Sequence, residues 1–401
     1  MSAHVLVALE GLPYPLDVRV RAEVEALVEA GYTVTVAGPT GFADLAREEW
    51  IGRVRVLRFR APPSGSGPLG YVREYALAVP RLARLVRRIH RERPVDLLLV
   101  CNPPDLLVGL RWLLSPPRPR VLLDYREISP ELFEAKFGAA RAPVTWVLRQ
   151  ALLWSERLAL RWSDAVITVS EPCRDLVQQR GGVPRERVFL VGNGPDAKRI
   201  YPTPARPELR HGHDHLVLWL GMMSRQEGLH RLIDAADHLV HVRGRSDVGF
   251  ALVGPGDVRA ELRAEVERRR LGGLVHIGDT ADDDLVRAYI ATADVCVSVD
   301  ERNAMNDRAA MRKVLEYMAM GRPVVQFPLA EMRRLCGDTT IYAADADACD
   351  LARAVDELLD DHAGRARLGE AARRRVHDGL LWHQQKPELL AAARAALGAA
   401  G

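Results

Sequence analysis

Short, nearly unbroken apolar runs alternate along this chain with longer stretches of helical periodicity. That pattern predicts parallel sheets covered on both faces by helices. In the first half the runs fall at His4–Leu9, Thr33–Ala37, Val54–Phe59, Leu97–Val100, Val121–Asp124, Ala165–Val169 and Val188–Val191. Between the first two, Arg19–Ala30 sets Val20, Val24, Leu27 and Val28 at helical spacing and closes on Gly31. The same alternation restarts at Leu216–Leu220 and continues through Gly249–Val253, Val275–Ile277, Val295–Val299, Val324–Gln326 and Thr340–Ala343. Between the two sets, Asn193–His215 holds Gly194, Pro195, Pro202, Pro204 and Pro207 and reads as a linker. The expectation is an α/β protein of two doubly wound parallel-sheet domains joined near residue 200. A cleft between them would be lined at the carboxyl ends of strands by Gly11, Asn102, Arg126, Gly221, Gly254 and the segment after Val299. Residues 61–70, rich in Pro, Gly and Ser, read as a mobile loop.

Composition narrows the class. The 401 residues carry 56 basic and 53 acidic side chains, a formal charge of +3, too little to coat a run of nucleic-acid phosphates. Apolar content of 48% against 27% charged excludes wholesale disorder. The N-terminal run lacks a basic flank and reads as a strand rather than a signal peptide, and no apolar stretch reaches the length of a membrane span. Cys101, Cys173, Cys296, Cys336 and Cys349 are odd in number and lack CxxC spacing. Reduced thiols in a cytoplasmic protein are therefore expected, not a zinc site or a disulfide framework.

The chemistry concentrates in Asp300–Val325. This segment follows a strand, should enter a helix near Ala309, and ends it at Gly321 before Pro323. A helix that starts at the carboxyl edge of a parallel sheet presents free N–H groups to an anion, most often phosphate. Arg308, Arg312 and Lys313 add positive charge at that end, against the usual preference for acids there. Glu316, one to two turns in, can accept both hydroxyls of a ribose diol.

On these residues the segment resembles the donor-site motif of retaining GT-B glycosyltransferases of family 4. There a carboxylate pair spaced E-x7-E precedes A-x-G and P-V-V. Glu316-Tyr-Met-Ala-Met-Gly321 matches the second Glu, whereas Arg308 stands at the first. Asn306-Asp307-Arg308-Ala-Ala-Met311-Arg312-Lys313 is similar to an N-D-R/K-S-T-M-x-K subset of that family. Gly221-Met222-Met-Ser-Arg225-Gln226-Glu227-Gly228 stands where the family commonly has G-R-L-x-x-x-K-G, with Met222 and Glu227 at the two basic places. It resembles the G-x-M-G-x-Q-D-G form found with the subset motif. Asn193-Gly-Pro-Asp196, Val169-Ser170, Asp17-Val-Arg19-Val-Arg21, Asp124-Tyr-Arg126-Glu127-Ile-Ser-Pro-Glu131 and Trp382-His-Gln-Gln385 resemble further landmarks in the family's order.

The resemblance implies a GT-B fold of two Rossmann-like domains. Residues 1–200 would bind the acceptor and be completed by a C-terminal helix at 380–401; residues 201–379 would bind the donor. It further implies sugar transfer with retention and without metal, from a nucleotide diphosphate sugar (UDP or GDP foremost) to a small-molecule or glycan acceptor. No cofactor, nucleic acid or stable membrane insertion is expected, and a homodimer is allowed. Arg126, Glu127, Arg308 and Lys313 are the expected catalytic groups. Donor contacts are expected from Gly221, Met222, Arg225, Gln226, Gly254, Gly256, Asp307, Met311, Arg312 and Glu316, and acceptor contacts from Gly11, Asp17, Arg19, Asn102 and Glu131. Gly11 and Gly221 read as close-approach glycines.

Several features read as structural. The imidazoles of His211, His213 and His215 lack a fourth ligand for a metal. Asp282-Asp-Asp284 and Asp345-Ala-Asp347 precede helical patterns and should cap them. Trp146, Trp154 and Trp162 recur every eight residues and should pack in a core or between domains. Gly254-Pro-Gly256 lacks the full dinucleotide fingerprint. The competing functions are a nucleotide-sugar 2-epimerase-type isomerase and a non-catalytic sugar-nucleotide-binding protein, the latter suggested by Arg308, Met222 and Glu227 at places usually held by Glu, Arg and Lys.

Overall fold

A computed structural model describes residues 2–41, 45–62, 67–138, 142–344 and 346–398. The chain forms two compact units, Met1–Gly192 with Gln385–Gly401, and Asn193–Gln384. The change of unit falls at Asn193 rather than near 200 because the proline-rich segment packs on the second unit. Asn193 Nδ2 donates to the Ala310 carbonyl at 3.1 Å, and Ile200 is buried in that unit's core.

The first unit holds strands β1 (His4–Ala8), β2 (Thr33–Pro39), β3 (Glu48–Ile51), β4 (Val54–Phe59), β5 (Leu97–Cys101), β6 (Arg120–Tyr125), β7 (Ala165–Thr168) and β8 (Val188–Leu190). Its sheet order is β3-β4-β2-β1-β5-β6-β7-β8, parallel except for β3 at one edge. Around it lie α1 (Val18–Glu29), α2 (Gly67–Glu92), α3 (Ser129–Phe137), α4 (Pro143–Trp162) and α5 (Glu171–Gly181). The central strands are buried on both faces, which explains their unbroken apolar runs. β3 escapes that rule: Glu48-Glu-Trp-Ile51 is a half-exposed edge strand with no apolar run. Of the stretch expected to form a mobile loop, Gly67–Gly70 opens α2, and residues 63–66 lie outside the described residues.

The second unit holds β9 (His215–Leu220), β10 (Val248–Val253), β11 (Val275–Ile277), β12 (Val295–Ser298), β13 (Val324–Gln326) and β14 (Ile341–Tyr342), all parallel, in the order β11-β10-β9-β12-β13-β14. Its helices are α6 (Leu229–Asp237), α7 (Arg259–Arg268), α8 (Asp283–Thr292), α9 (Arg312–Ala319), α10 (Ala330–Cys336), α11 (Ala348–Asp360) and α12 (His362–His377). The last helix, α13 (Trp382–Leu397), passes into the first unit at Gln385 and buries Leu389, Ala392 and Ala393. Side-chain oxygens of Asp282 and Asp347 cap α8 and α11, as acids before a first turn should. Asp345 lies outside the described residues.

Among the parallel strands of each sheet the order reverses direction once, between β1 and β5 and between β9 and β12. Ligands of doubly wound sheets bind beyond the carboxyl ends of strands at such switch points. The loops there are Glu10–Asp17 and Asn102–Asp105 in the first unit, and Gly221–Gly228 and Val299–Met311 in the second. The tryptophan stripe is not core. Trp146 and Trp154 are exposed on α4, and only Trp162 is partly covered, edge-on to Trp112 at 6.4 Å.

Candidate active site

The second unit's switch point is built on backbone contact. Gly254 has φ +148° and a Cβ there would overlap the Gly221 carbonyl; Gly228 has φ +67° and a Cβ would overlap the Val299 carbonyl. Met223 N donates to the Pro255 carbonyl at 2.7 Å, so the loops after β9 and β10 are locked together. Met222 and Arg225 stand exposed here, and Gln226 is half-buried. Arg225 reaches Glu261 at 2.9 Å, an ion pair open to solvent.

At these loops lies an ionic cluster. Lys313 Nζ is 2.5 Å from Glu227 Oε2 and 3.0 Å from Asp300 Oδ2, and it sits 4.9 Å from the centre of the Trp219 ring. Asp300 is buried and accepts from Ser298 Oγ at 2.5 Å. Burial alone would pull the lysine's pKa down, but Asp300 and Glu227 outweigh it and push it up to about 12. Burial, with Asp300 nearby, raises Glu227 to about 7 despite Lys313. Glu227, which stands where the resemblance leads one to expect a Lys, thus pairs with Lys313.

Glu316 is 5% exposed, and its Oε1 accepts from Arg199 Nη1 at 2.5 Å; Arg199 Nε also holds Asp283 at 2.7 Å. No motif pointed to Arg199, which lies in the segment read as a linker. Its one sequence-level sign is a position three residues after Asp196. The helix α9 begins at Arg312, not near Ala309, because Asn306–Arg308 forms a separate 3-10 turn and Ala309 is extended. Arg308 is therefore off the helix that carries Glu316, and its Nη1 donates to the Ala304 carbonyl. Asp307 is used structurally: Oδ1 accepts from Ala330 N at the start of α10, and Oδ2 accepts from Arg302 Nε at 2.8 Å. Met311 and Arg312 are half-buried at the start of α9, whose N-cap residue Met311 supplies no side-chain acceptor.

In the first unit several residues expected to contact the acceptor make internal ion pairs and hydrogen bonds. Arg19 is buried; it meets Asp124 and Glu23 at 2.9 Å and donates to the Val191 carbonyl at 3.0 Å. Glu131 is buried against Arg180. Asn102 spends its amide on the loops after β5 and β6, accepting from Arg126 N and Glu127 N and donating to Asp105 Oδ1 and the Glu127 carbonyl. A Cβ built at Gly11 meets nothing within 4 Å, so no close approach requires glycine there. Asp17 caps α1 and pairs with Arg126 at 2.9 Å. Among the described residues, the one trio arranged like metal ligands is Glu23, Cys101 and Asp124; both its carboxylates already face Arg19. The imidazoles of the linker diverge: His211 stacks on His276, His213 bonds the Gly273 carbonyl, and His215 faces Asp247 and Asp294.

Two carboxyls at this edge remain uncommitted. Glu127 has a buried Oε2 without a hydrogen-bond partner, and burial, opposed by Arg126 and Lys136, pushes it up to about 7. Glu10, which no motif singled out, is 8% exposed; burial and Glu74, opposed by Lys136, push it up to about 8. A carboxyl whose folded pKa is raised destabilises the fold increasingly as pH climbs from the unfolded value through the folded one. Glu10→Gln should therefore raise stability by on the order of 2 kcal/mol at pH 8.5 and by almost nothing at pH 4, in denaturant melts. An equal gain at both pH values would refute the ionisation argument.

Two parallel doubly wound units, each with a switch-point loop cluster, define the GT-B class. Residues 16–194 match the model described as "Glycosyl transferase 4-like domain" and residues 214–361 the model "Glycosyl transferases group 1". The chain belongs to the GT-B glycosyltransferase family. Alpha-D-kanosaminyltransferase of Streptomyces kanamyceticus is 29% identical over 227 residues, 55% of this chain and 57% of that protein. Alpha-maltose-1-phosphate synthase of Mycobacterium tuberculosis is 31% identical over 254 residues, 58% and 63% of the two chains. The match thus covers less than two thirds of either relative. Among solved structures, sucrose-phosphate synthase from Thermosynechococcus elongatus superposes with TM-score 0.80 at 20% identity, covering 99% of this chain and 100% of that one. Anabaena HepE in complex with UDP and glucose superposes with TM-score 0.71 at 17% identity, covering 97% and 98%. These likenesses carry the fold. Among the described residues no helix is long and apolar enough to cross a membrane.

Proposed function

We propose that this chain transfers a sugar, with retention and without metal, from a nucleotide diphosphate sugar to a small-molecule or glycan acceptor. The observation that carries the reading is the Lys313–Glu227–Asp300 cluster at the β9/β12 switch point, with Glu316 on the same helix as Lys313. A departing nucleoside diphosphate accumulates charge on its β-phosphate, and that charge must be met by fixed positive groups and backbone amides. Lys313 and the first amides of α9 supply them, with Arg308 and Arg312 flanking. When phosphate arrives, Lys313 exchanges one carboxylate for a phosphate oxygen, which Glu227's raised pKa makes easier near neutrality. Glu316 takes the ribose hydroxyls. In the first unit Glu127, held near 7, suits a group that accepts the acceptor's proton at physiological pH. The curated relatives named above are a transferase and a synthase, which favours transfer over isomerisation or passive binding.

The test is a thermal-shift series with UDP, GDP, dTDP and ADP, followed by turnover with the matching sugar nucleotides in EDTA. Product present at a hundredfold its Kd should add about 2.7 kcal/mol of stability. NMR of the product should show the donor's anomeric configuration retained. If no nucleoside diphosphate moves the midpoint, the donor-site assignment is wrong. An inverted product or a metal requirement would overturn the mechanism.

A further inference from the structure

The helix α4 is built the wrong way round for water. Of its exposed positions all are apolar except Arg157 and Arg161, and the large ones are Val144, Trp146, Val147 and Trp154, between 56% and 60% exposed. Val144, Val147 and Trp154 fall on one stripe at helical spacing. The helix's one acid, Glu156, is fully buried and held by Arg180 at 2.9 Å. The exposed positions of α4 therefore carry no acid, and the carboxylates that border them are already paired, Glu134 with Arg149 at 2.7 Å and Asp164 with Arg111 at 3.1 Å. The exposed face continues past the end of α4 through Trp162 to the exposed Trp112, on which the Arg111 and Arg118 guanidinium groups stack at 5.1 and 5.4 Å.

We infer that this face of the first unit docks on the surface of an anionic lipid bilayer, with the tryptophans in the interfacial layer and the arginines on lipid phosphates. Indole rings gain most at a boundary that is apolar on one side and wet on the other. Guanidinium groups snorkel to phosphate oxygens and add electrostatic attraction when the lipid is anionic. A second copy of the chain fits less well. Pairing α4 with itself would lay Arg157 and Arg161 along tryptophan and valine, and the bordering carboxylates Glu134 and Asp164 are already held by Arg149 and Arg111, so the desolvation cost would go uncompensated. The inference concerns the first unit's surface alone and stands apart from the transferase reading, so its test needs no substrate.

The full chain is floated with 100 nm vesicles of phosphatidylcholine alone or mixed equally with phosphatidylglycerol, at 0.05 and 0.5 M NaCl. Partitioning to the mixed vesicles should exceed that to neutral ones by about tenfold and fall with salt. Tryptophan emission should shift to the blue on binding. The double variant W146S/W154S should lose about tenfold or more in partitioning with its melting midpoint unchanged, and R157Q/R161Q should lose the preference for the anionic lipid. The inference falls if the wild-type chain does not bind the mixed vesicles, or if W146S/W154S binds them equally well. It also falls if light scattering without lipid shows a dimer that W146S/W154S dissociates, which would make the face a protein interface.

Discussion

Lys313→Met will lower kcat by about 10²–10³-fold while leaving donor KM nearly unchanged, because the lost charge matters most as the leaving phosphate develops its own. The same substitution will destabilise the fold by roughly 3–5 kcal/mol, since it strands Glu227 and Asp300 in a buried place without their shared cation. These two consequences have different remedies. Adding Glu227→Met removes half of the stranded charge and should recover a good part of the stability, yet it cannot restore a positive group to the phosphate. The double variant should therefore melt near the wild type and still turn over as slowly as Lys313→Met. Denaturant melts and steady-state kinetics on the four proteins of the cycle read both terms. If Lys313→Met keeps wild-type kcat, Lys313 is a structural cation and the phosphate is met elsewhere. If Glu227→Met restores activity along with stability, the kinetic loss was only misfolding.

How much of this was legible from residues depended on whether the signal was local. Buried parallel strands announce themselves because both faces need apolar side chains, and every run named from the pattern has its strand within a residue or two. The edge strand β3 has one face in solvent and so carries no such run. The segment Asp300–Val325 stood out in the sequence, but its geometry did not: a 3-10 turn and an extended link separate Arg308 from α9, and spacing along the chain cannot reveal that. Lys313 was visible as one of only four lysines in an arginine-rich chain. That Glu227, 86 positions away, would be its partner required the fold. Buried arginines deceived in the opposite direction. Arg19 matched a motif and looked like a ligand group, yet its charge is absorbed by Asp124 and Glu23 inside the sheet layer. Trp146 and Trp154 sit at a spacing that suggests packing, and only exposure shows which side of the helix they occupy.

Glu316→Ala will raise donor KM by about a hundredfold with a smaller effect on kcat, because a buried carboxylate that accepts two ribose hydroxyls contributes about 3 kcal/mol to ground state and transition state alike. Arg199 makes the prediction sharper. Its guanidinium bridges Glu316 and Asp283, so it fixes the carboxylate's orientation without needing to touch the nucleotide. Arg199→Met should then raise donor KM by roughly tenfold, the cost of an acceptor left free to turn, and should add little when combined with Glu316→Ala. A merely structural Arg199 would weaken all nucleotides alike. A positioning Arg199 reduces one specific quantity, the preference for a ribonucleoside diphosphate over its 2′-deoxy analogue. Calorimetric titration of both nucleotides against wild type, Arg199→Met, Glu316→Ala and the double variant reads that ratio directly. It should be largest in the wild type, reduced in Arg199→Met, and abolished equally in the two proteins that lack Glu316. A ratio that survives Glu316→Ala would remove Glu316 from the ribose site, and with it the role assigned to Arg199.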